Sequence, residues 1–471
     1  MNSITTQDRP NFTAQEATGS LLEVVGGKTQ VPLIDGSWIS YANLDVAASA
    51  PALQAVADRV TEVLPLYASV HRGAGYLSQV STALYEQCRT VIGNFVGARE
   101  QDVTIITRNT TDSINLLAGC IPSAVAGGKV LVLDVEHHAN LLPWQRFFNG
   151  VQVLTAAGTV AETLAQLEAE LKTGDYSLIA VTGASNVTGE SLDFKALTNL
   201  AHEYQTRVFL DGAQLVPHRR FSLTETGVDY VAFSGHKTYA PYGAGALVGR
   251  RDWLDSGKPY LAGGGAVKQV EVAETTWAPA PARHEAGSPN VIGAVALAAA
   301  CEELAKLNPE LLHEHEALLR ARLVEGLENL TEIEVIKFWE DSSDPVGVVT
   351  FVVKGYDPGL IAAYLSAEYG IGVRDGRFCA HPVLARLGLK SGAIRASIGV
   401  GTTLEHVDRL IVALQVFLTT GPQGEYQINN GLWEAKNDPR PVPEHSGLSG
   451  LVATAAAACA SVAAGCGPAP K

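Results

Sequence analysis

Cysteine is scarce in this chain and never falls in a CxxC pair. The six cysteines, Cys88, Cys120, Cys301, Cys379, Cys459 and Cys466, are scattered through 471 residues. Such spacing excludes the disulfide framework that staples small secreted domains. Long apolar runs are missing as well: none reaches the roughly 18 residues that a membrane span needs, so no membrane association is expected. The opening 20 residues are polar and mixed in charge, and no signal peptide is expected there. Positive charge is in deficit, with 34 Lys and Arg against 49 Asp and Glu and a net charge of −15. That balance speaks against non-specific nucleic-acid binding, which draws its affinity from cations meeting phosphates. Together these absences describe a soluble, cytoplasmic protein with no nucleic-acid and no membrane partner.

Apolar residues make up 46% of the chain, enough to bury a substantial core. At this length a large α/β domain with a smaller companion is expected. Residues 1–40 read as a leader and a segment packing on the small domain, 41–302 as the large domain, 303–420 as a small α+β domain, and 421–471 as a Pro- and Ala-rich tail expected to be disordered. Within the large domain, β-like runs at Val103–Thr107, Lys129–Val135, Val151–Thr155, Leu178–Thr182, Arg207–Leu210, Tyr230–Phe233 and Gly245–Val248 alternate with helical stretches such as Glu162–Lys172 and Phe194–Tyr204. Such alternation predicts a seven-stranded, mostly parallel sheet covered by helices on both faces.

Ligands of open parallel sheets bind beyond the carboxyl ends of the strands. Five of these runs end in polar, reactive groups: Asn109-Thr110-Thr111, Glu136 to Asn140, Ser185-Asn186, Asp211 to Gln214, and Ser234 to Lys237. Their convergence fits a pyridoxal 5′-phosphate (PLP) site, where a lysine imine carries the cofactor and an acidic side chain pairs with its pyridine nitrogen. Lys237 and Asp211 supply those two groups. Thr110 and Thr111 before a helix, with Ser234 and His236, suit a phosphate. His137 or His138 can stack on the ring, and Asn186 and Gln214 can reach the phenolic oxygen.

The segments Val208 to Gln214 and Ser234 to Gly245 resemble those of the class V (fold-type I) PLP-dependent aminotransferase superfamily, nearest to its cysteine desulfurase/selenocysteine lyase group. Supporting segments are Val70 to Gly73, Glu136 to Asn140, Ser185 to Val187, Arg283 to Asn290, Gly372 to Pro382 and Arg395 to Ser397. The resemblance spans roughly Tyr41 to Leu418. It implies that Lys237 is the Schiff-base lysine and the base for the substrate Cα proton, that Asp211 pairs with the pyridine nitrogen, and that His137 covers the ring. It implies that Thr110, Thr111, Ser234 and His236 hold the phosphate. Ser288, with Gly263-Gly264-Gly265, would reach the partner's phosphate in a homodimer. Arg395 would clamp the substrate α-carboxylate, with Asn186 and Arg72 also lining the substrate site. Cys379 would take sulfur from L-cysteine as a persulfide, leave L-alanine, and pass the sulfur to an acceptor protein. The chain departs from the family at Arg377-Phe378, where a His is frequent, at His381, where Gln is frequent, and at Gly75, where His is frequent.

Plainer readings stand beside these. Asp211 could be a turn residue and Thr110-Thr111 only a helix cap. Arg395 could serve an internal ion pair, and Cys379 could be a buried small hydrophobe. His137-His138 could be half of a metal site, but no further ligands stand at zinc-like spacing and no metal is expected. The run Gly243-x-Gly245-x-x-x-Gly249 lacks dinucleotide spacing. An alternative outcome on the same scaffold is an aminotransferase, a C–S or C–N lyase, or an epimerase acting on another amino acid.

Overall fold

The computed structural model describes residues 19–71, 73–122, 128–147 and 150–441. Its centre is one seven-stranded sheet. In chain order the strands are β1 (Asp102–Thr107), β2 (Lys129–Leu133), β3 (Val151–Leu154), β4 (Tyr176–Thr182), β5 (Arg207–Asp211), β6 (Tyr230–Ser234) and β7 (Gly245–Arg250). Their spatial order is β1-β7-β6-β5-β4-β2-β3. Strand β7 runs antiparallel to both of its neighbours, and the other pairings are parallel. The seven runs read from the sequence are these seven strands.

Both faces of the sheet are covered, which is why its strands read as near-continuous apolar runs. Successive residues of β4 go to opposite sides. Ile179 and Val181 join the core beneath helices Tyr76–Phe95 and Val291–Lys306, while Leu178 and Ala180 join the core around helix Thr110–Cys120 and Trp144. Alternation of this kind is the period-two geometry of a strand.

The smaller layer is a four-stranded antiparallel sheet of β8 (Ile333–Val335), β9 (Val348–Val353), β10 (Arg374–Gly376) and β11 (Ala393–Ser397), in the order β8-β9-β11-β10. Helices Pro309–Glu328, Pro358–Tyr369 and Leu404–Thr420 pack on it. The boundary expected at 302/303 falls inside helix Val291–Lys306, which stays on the large domain through Val295 and Cys301. Residues 34–43 lie on the smaller layer: Ile34 N–H donates to the Ala367 carbonyl, and Ala42–Asn43 pairs in parallel with Ile371–Gly372. Among the described residues, no helix is long and apolar enough to cross a membrane.

The expectation of a disordered tail from residue 421 is corrected as far as residue 441. Tyr426–Asn429 and Leu432–Ala435 form an antiparallel hairpin. Asn430 and Gly431 turn it, with φ of 51° and 81°. Two positive φ values are what a two-residue type I′ turn requires, and Asn-Gly is its preferred sequence. Glu368 anchors the hairpin by accepting from Gln423 N–H, Gly424 N–H and the Tyr426 hydroxyl, at 3.0, 2.9 and 2.9 Å. Residues 442–471, with Cys459 and Cys466, lie outside the described residues. Glu368→Ala is expected to weaken the anchor by about 1–2 kcal/mol. Amide exchange across 426–435 should then quicken roughly tenfold while the main unfolding transition stays in place; unchanged exchange would count against the anchor.

Candidate active site

Of the five strand ends expected to converge, those of β6, β5, β4 and β2 lie side by side in the sheet order, and that of β1 lies one strand away, across β7. The β1 end meets the β6 end because β7 brings them together. Gly245 pairs with Thr107 on one side and Ser234 on the other. A Cβ at Gly245 would lie 2.8 Å from both Asn109 Cα and the Phe233 carbonyl oxygen, so no side chain fits at that crossing. The close approach lets Thr110 N–H donate to Ser234 Oγ at 2.8 Å, with the two hydroxyls 2.7 Å apart. A hydroxyl pair at the first turn of helix Thr110–Cys120 is an anion-binding arrangement. The cap of that helix is Asn109, whose side chain accepts from Asp112 N–H at 2.9 Å, and not the threonine pair. Thr111 is exposed beside it.

Lys237 sits on the turn leaving β6, where its N–H donates to the Ser234 carbonyl. The preceding His236 carbonyl accepts from Ala50 N–H at 2.8 Å and Ser49 Oγ at 3.3 Å, which pins the turn. The lysine is half-buried. Burial pushes its pKa down to about 8, opposed by the nearby Asp211 carboxylate. Asp211, buried at the end of β5, accepts from Ala213 N–H at 3.0 Å. Burial pushes its carboxyl above the usual range, and Lys237 pulls it back.

His137 and His138 have separate surroundings. Nδ1 of His137 accepts from Ala139 N–H at 3.0 Å, which places the ring proton on Nε2. Burial holds its pKa at about 3, so the ring is neutral. His138 turns to His381, with ring centroids 4.5 Å apart and an edge-to-face angle of 83°. His137 is therefore the imidazole left for a cofactor face. Behind both, buried Glu136 accepts from Thr182 N–H at 3.0 Å and Asn140 Nδ2 at 2.7 Å, tying the β4 end to the histidine turn. Burial pushes its pKa well up.

Arg395 comes from the smaller layer and is buried. It donates to the Asn186 carbonyl at 2.9 Å and pairs with Asp45 at 3.3 Å. The ion-pair reading thus holds for Arg395, and its guanidinium also faces the site. Asp45 was not singled out in the sequence, because nothing local marks an aspartate whose partner is 350 residues away. Cys379 lies on the turn after β10, its carbonyl accepting from His138 N–H at 3.0 Å. It is half-buried and close enough to Lys237 and Arg395 to affect the charge on both. Asn186 is buried and donates to the Phe378 carbonyl at 2.8 Å. Gln214 is buried and donates to the Ala47 carbonyl at 2.8 Å.

The structure thus brings together Lys237, Asp211, His137, Thr110, Ser234, His236, Asn186, Gln214, Arg395 and Cys379. Ser288 is exposed, beside a Gly287 N–H that donates to the Gly264 carbonyl. Arg72 lies outside the described residues. Among the described residues, Gln214 Oε1 and Arg395 Nε are buried without a partner, and no group of three or more His, Cys, Asp or Glu is placed to hold a metal. Buried unpartnered polar atoms in a native site call for a ligand. The donor set of an amine, a buried carboxylate, a neutral imidazole and a hydroxyl pair fits PLP.

Comparison with known proteins follows the same lines. The aminotransferase class-V family model matches residues 42–410. A probable cysteine desulfurase of Vibrio cholerae is 32% identical over 388 residues, covering 81% of this chain and 94% of the relative. A probable cysteine desulfurase 2 of Mycobacterium leprae is 35% identical over 361 residues, covering 74% and 84%. The crystal structure of the cysteine desulfurase CsdA (S-sulfonic acid) of Escherichia coli superposes with a TM-score of 0.70 at 32% identity, covering 80% of this chain and 94% of that one. The apo cysteine desulfurase of Thermococcus onnurineus gives a TM-score of 0.72 at 31% identity over the same shares. By its sheet, its strand-end residues and these matches, the chain belongs to the aminotransferase class-V family.

Proposed function

We propose that this protein is a PLP-dependent cysteine desulfurase, converting L-cysteine to L-alanine with the sulfur retained as a persulfide on Cys379. The observation that carries the reading is the docking of the Cys379 turn onto the Lys237 site through His138 N–H. Lys237, Asp211, His137, Thr110, Ser234 and His236 would hold the cofactor, with Asn186 and Gln214 at its phenolic edge. When bound, PLP supplies an electron sink for the charge left on the substrate carbon.

The chain's own groups do the rest. Arg395 takes the substrate α-carboxylate, a task suited to the planar guanidinium fork. Burial keeps Lys237 near a pKa of about 8, within reach of its neutral, basic form, and its amine moves the Cα proton. The Cys379 thiolate attacks the substrate sulfur. An S–S bond forms as the C–S bond breaks, its electron pair stays with the carbon, and protonation there yields alanine. One sulfur atom moves from substrate to protein, so L-cysteine and the thiol become L-alanine and the persulfide. An acceptor protein or thiol then takes that sulfur.

The protein would work as a homodimer, with Ser288 and the Gly263-Gly264-Gly265 loop facing the partner's phosphate. Support comes from the exposed Ser288 and from nearby Leu261, Val270 and Val272, which expose 55%, 63% and all of their surface in the single chain. Among the described residues no cysteine is held in a disulfide.

The test is purified, PLP-loaded protein given L-cysteine, with alanine, sulfide released by a reductant, pyruvate and ammonia measured. Alanine and sulfide in equal amounts are expected. Pyruvate with ammonia, or amino transfer to a keto acid, would replace this reading with a lyase or an aminotransferase.

A further inference from the structure

The turn between β10 and helix His381–Arg386 is held closed by contacts on either side of Cys379. On one side, Asn186 Nδ2 donates to the Phe378 carbonyl at 2.8 Å. The Phe378 ring, 7% exposed, faces the Arg395 guanidinium at 5.4 Å. Arg395 in turn donates to the Asn186 carbonyl at 2.9 Å. These three residues form a closed circuit in which Phe378 contributes both a carbonyl and a ring. On the other side, His381 packs edge-to-face on His138, whose N–H holds the Cys379 carbonyl.

The backbone between the two sides is strained. Phe378 and Cys379 have φ of 50° and 52°. Successive non-glycine residues rarely adopt left-handed backbone, and they keep it only where surrounding contacts enforce it. The enforcing contacts here are the Phe378 circuit and the histidine pair.

We propose that Phe378 is a positioning residue that latches the Cys379 turn to the arginine receiving the substrate carboxylate. The latch rests on the reading of Cys379 and Arg395 given above. It couples two tasks that lie on different segments: an amino acid whose α-carboxylate settles on Arg395 binds to the cation that the Phe378 ring covers, and the same ring keeps the thiol facing Lys237. A cation over an aromatic face is attractive, more so when both are removed from water. A side chain lacking that face cannot substitute for it.

The test uses the PLP-loaded protein and its Phe378→Ala, Phe378→Leu and Phe378→Tyr variants. Two rates are read: alkylation of Cys379 by iodoacetamide, located by peptide mass, and alanine formation from L-cysteine. Phe378→Ala should be alkylated severalfold faster. It should lose about 100-fold in alanine formation, chiefly in kcat, as expected when a reacting group drifts by an ångström. Cofactor absorption should stay at the parent level, and Phe378→Tyr should restore both rates. If Phe378→Ala does not accumulate, Phe378→Leu makes the same comparison without the aromatic face. Parent-like alkylation and turnover in the variant that folds would overturn the latch, as would a loss of turnover that merely follows loss of cofactor. If the parent itself makes no alanine, the desulfurase reading fails, while the alkylation comparison still decides the latch.

Discussion

Lys237→Ala is expected to lower alanine formation from L-cysteine by about four orders of magnitude or more, as removal of a group central to a chemical step does. In the proposed reaction the lysine combines two roles on one nitrogen: the covalent hold on the cofactor and the base at the substrate Cα. Its turn is tied down at Ser234, Ala50 and Ser49, so truncation at Cβ leaves the backbone in place. The fold should therefore survive the loss, and removal of a partly buried cation should leave the melting temperature equal or higher.

A pH signature accompanies this. In the cofactor-free protein Lys237 has a pKa of about 8, against the ordinary 10.5. Between those values the unfolded chain binds more protons at this position than the folded one, so stability rises with pH across the window. The alanine variant should lack that part of the rise. Measured turnover above roughly a hundredth of the parent's would remove Lys237 from the chemical step.

Cys379→Ser is expected to separate the two halves of the reaction. The substitution changes one atom and leaves the turn's contacts through the Cys379 and Phe378 carbonyls intact. Cofactor binding and exchange of the L-alanine Cα proton with solvent deuterium should persist, because they need Lys237 and Arg395 rather than the thiol. Alanine formation from L-cysteine should fall by about 100-fold or more, since a hydroxyl at neutral pH is a far weaker nucleophile towards sulfur than a thiolate. After a single turnover, intact mass should show one added sulfur on the parent and none on the variant. A serine variant that forms alanine at the parent's rate would mean that sulfur leaves without passing through Cys379, and the persulfide step would have to be abandoned.

Much of this was written locally along the chain. The seven strands announced themselves because a sheet buried on both faces needs unbroken apolar runs, and five of the runs ended in the polar residues that a strand-end site needs. Lys237, Asp211, His137 and the Thr110–Ser234 pair were legible for that reason. The hairpin turned by Asn430-Gly431 was not read from the sequence, because its Pro- and Ala-rich context read as tail.

What no local signal carried were the pairings between distant segments. Asp45 meets Arg395 across 350 residues, and Asn186 meets Phe378 across 192. Only the folded chain separates His137, left facing the site, from His138, turned to His381. Only the folded chain shows that the cap before Thr110 is Asn109. Periodicity and strand-end chemistry are properties of a single element, so the sequence alone determined the sheet and the inventory of the site. Which inventory members touch depends on how two layers close on each other, and that the tertiary structure alone decided, because a contact between separate elements leaves no periodic trace in either one.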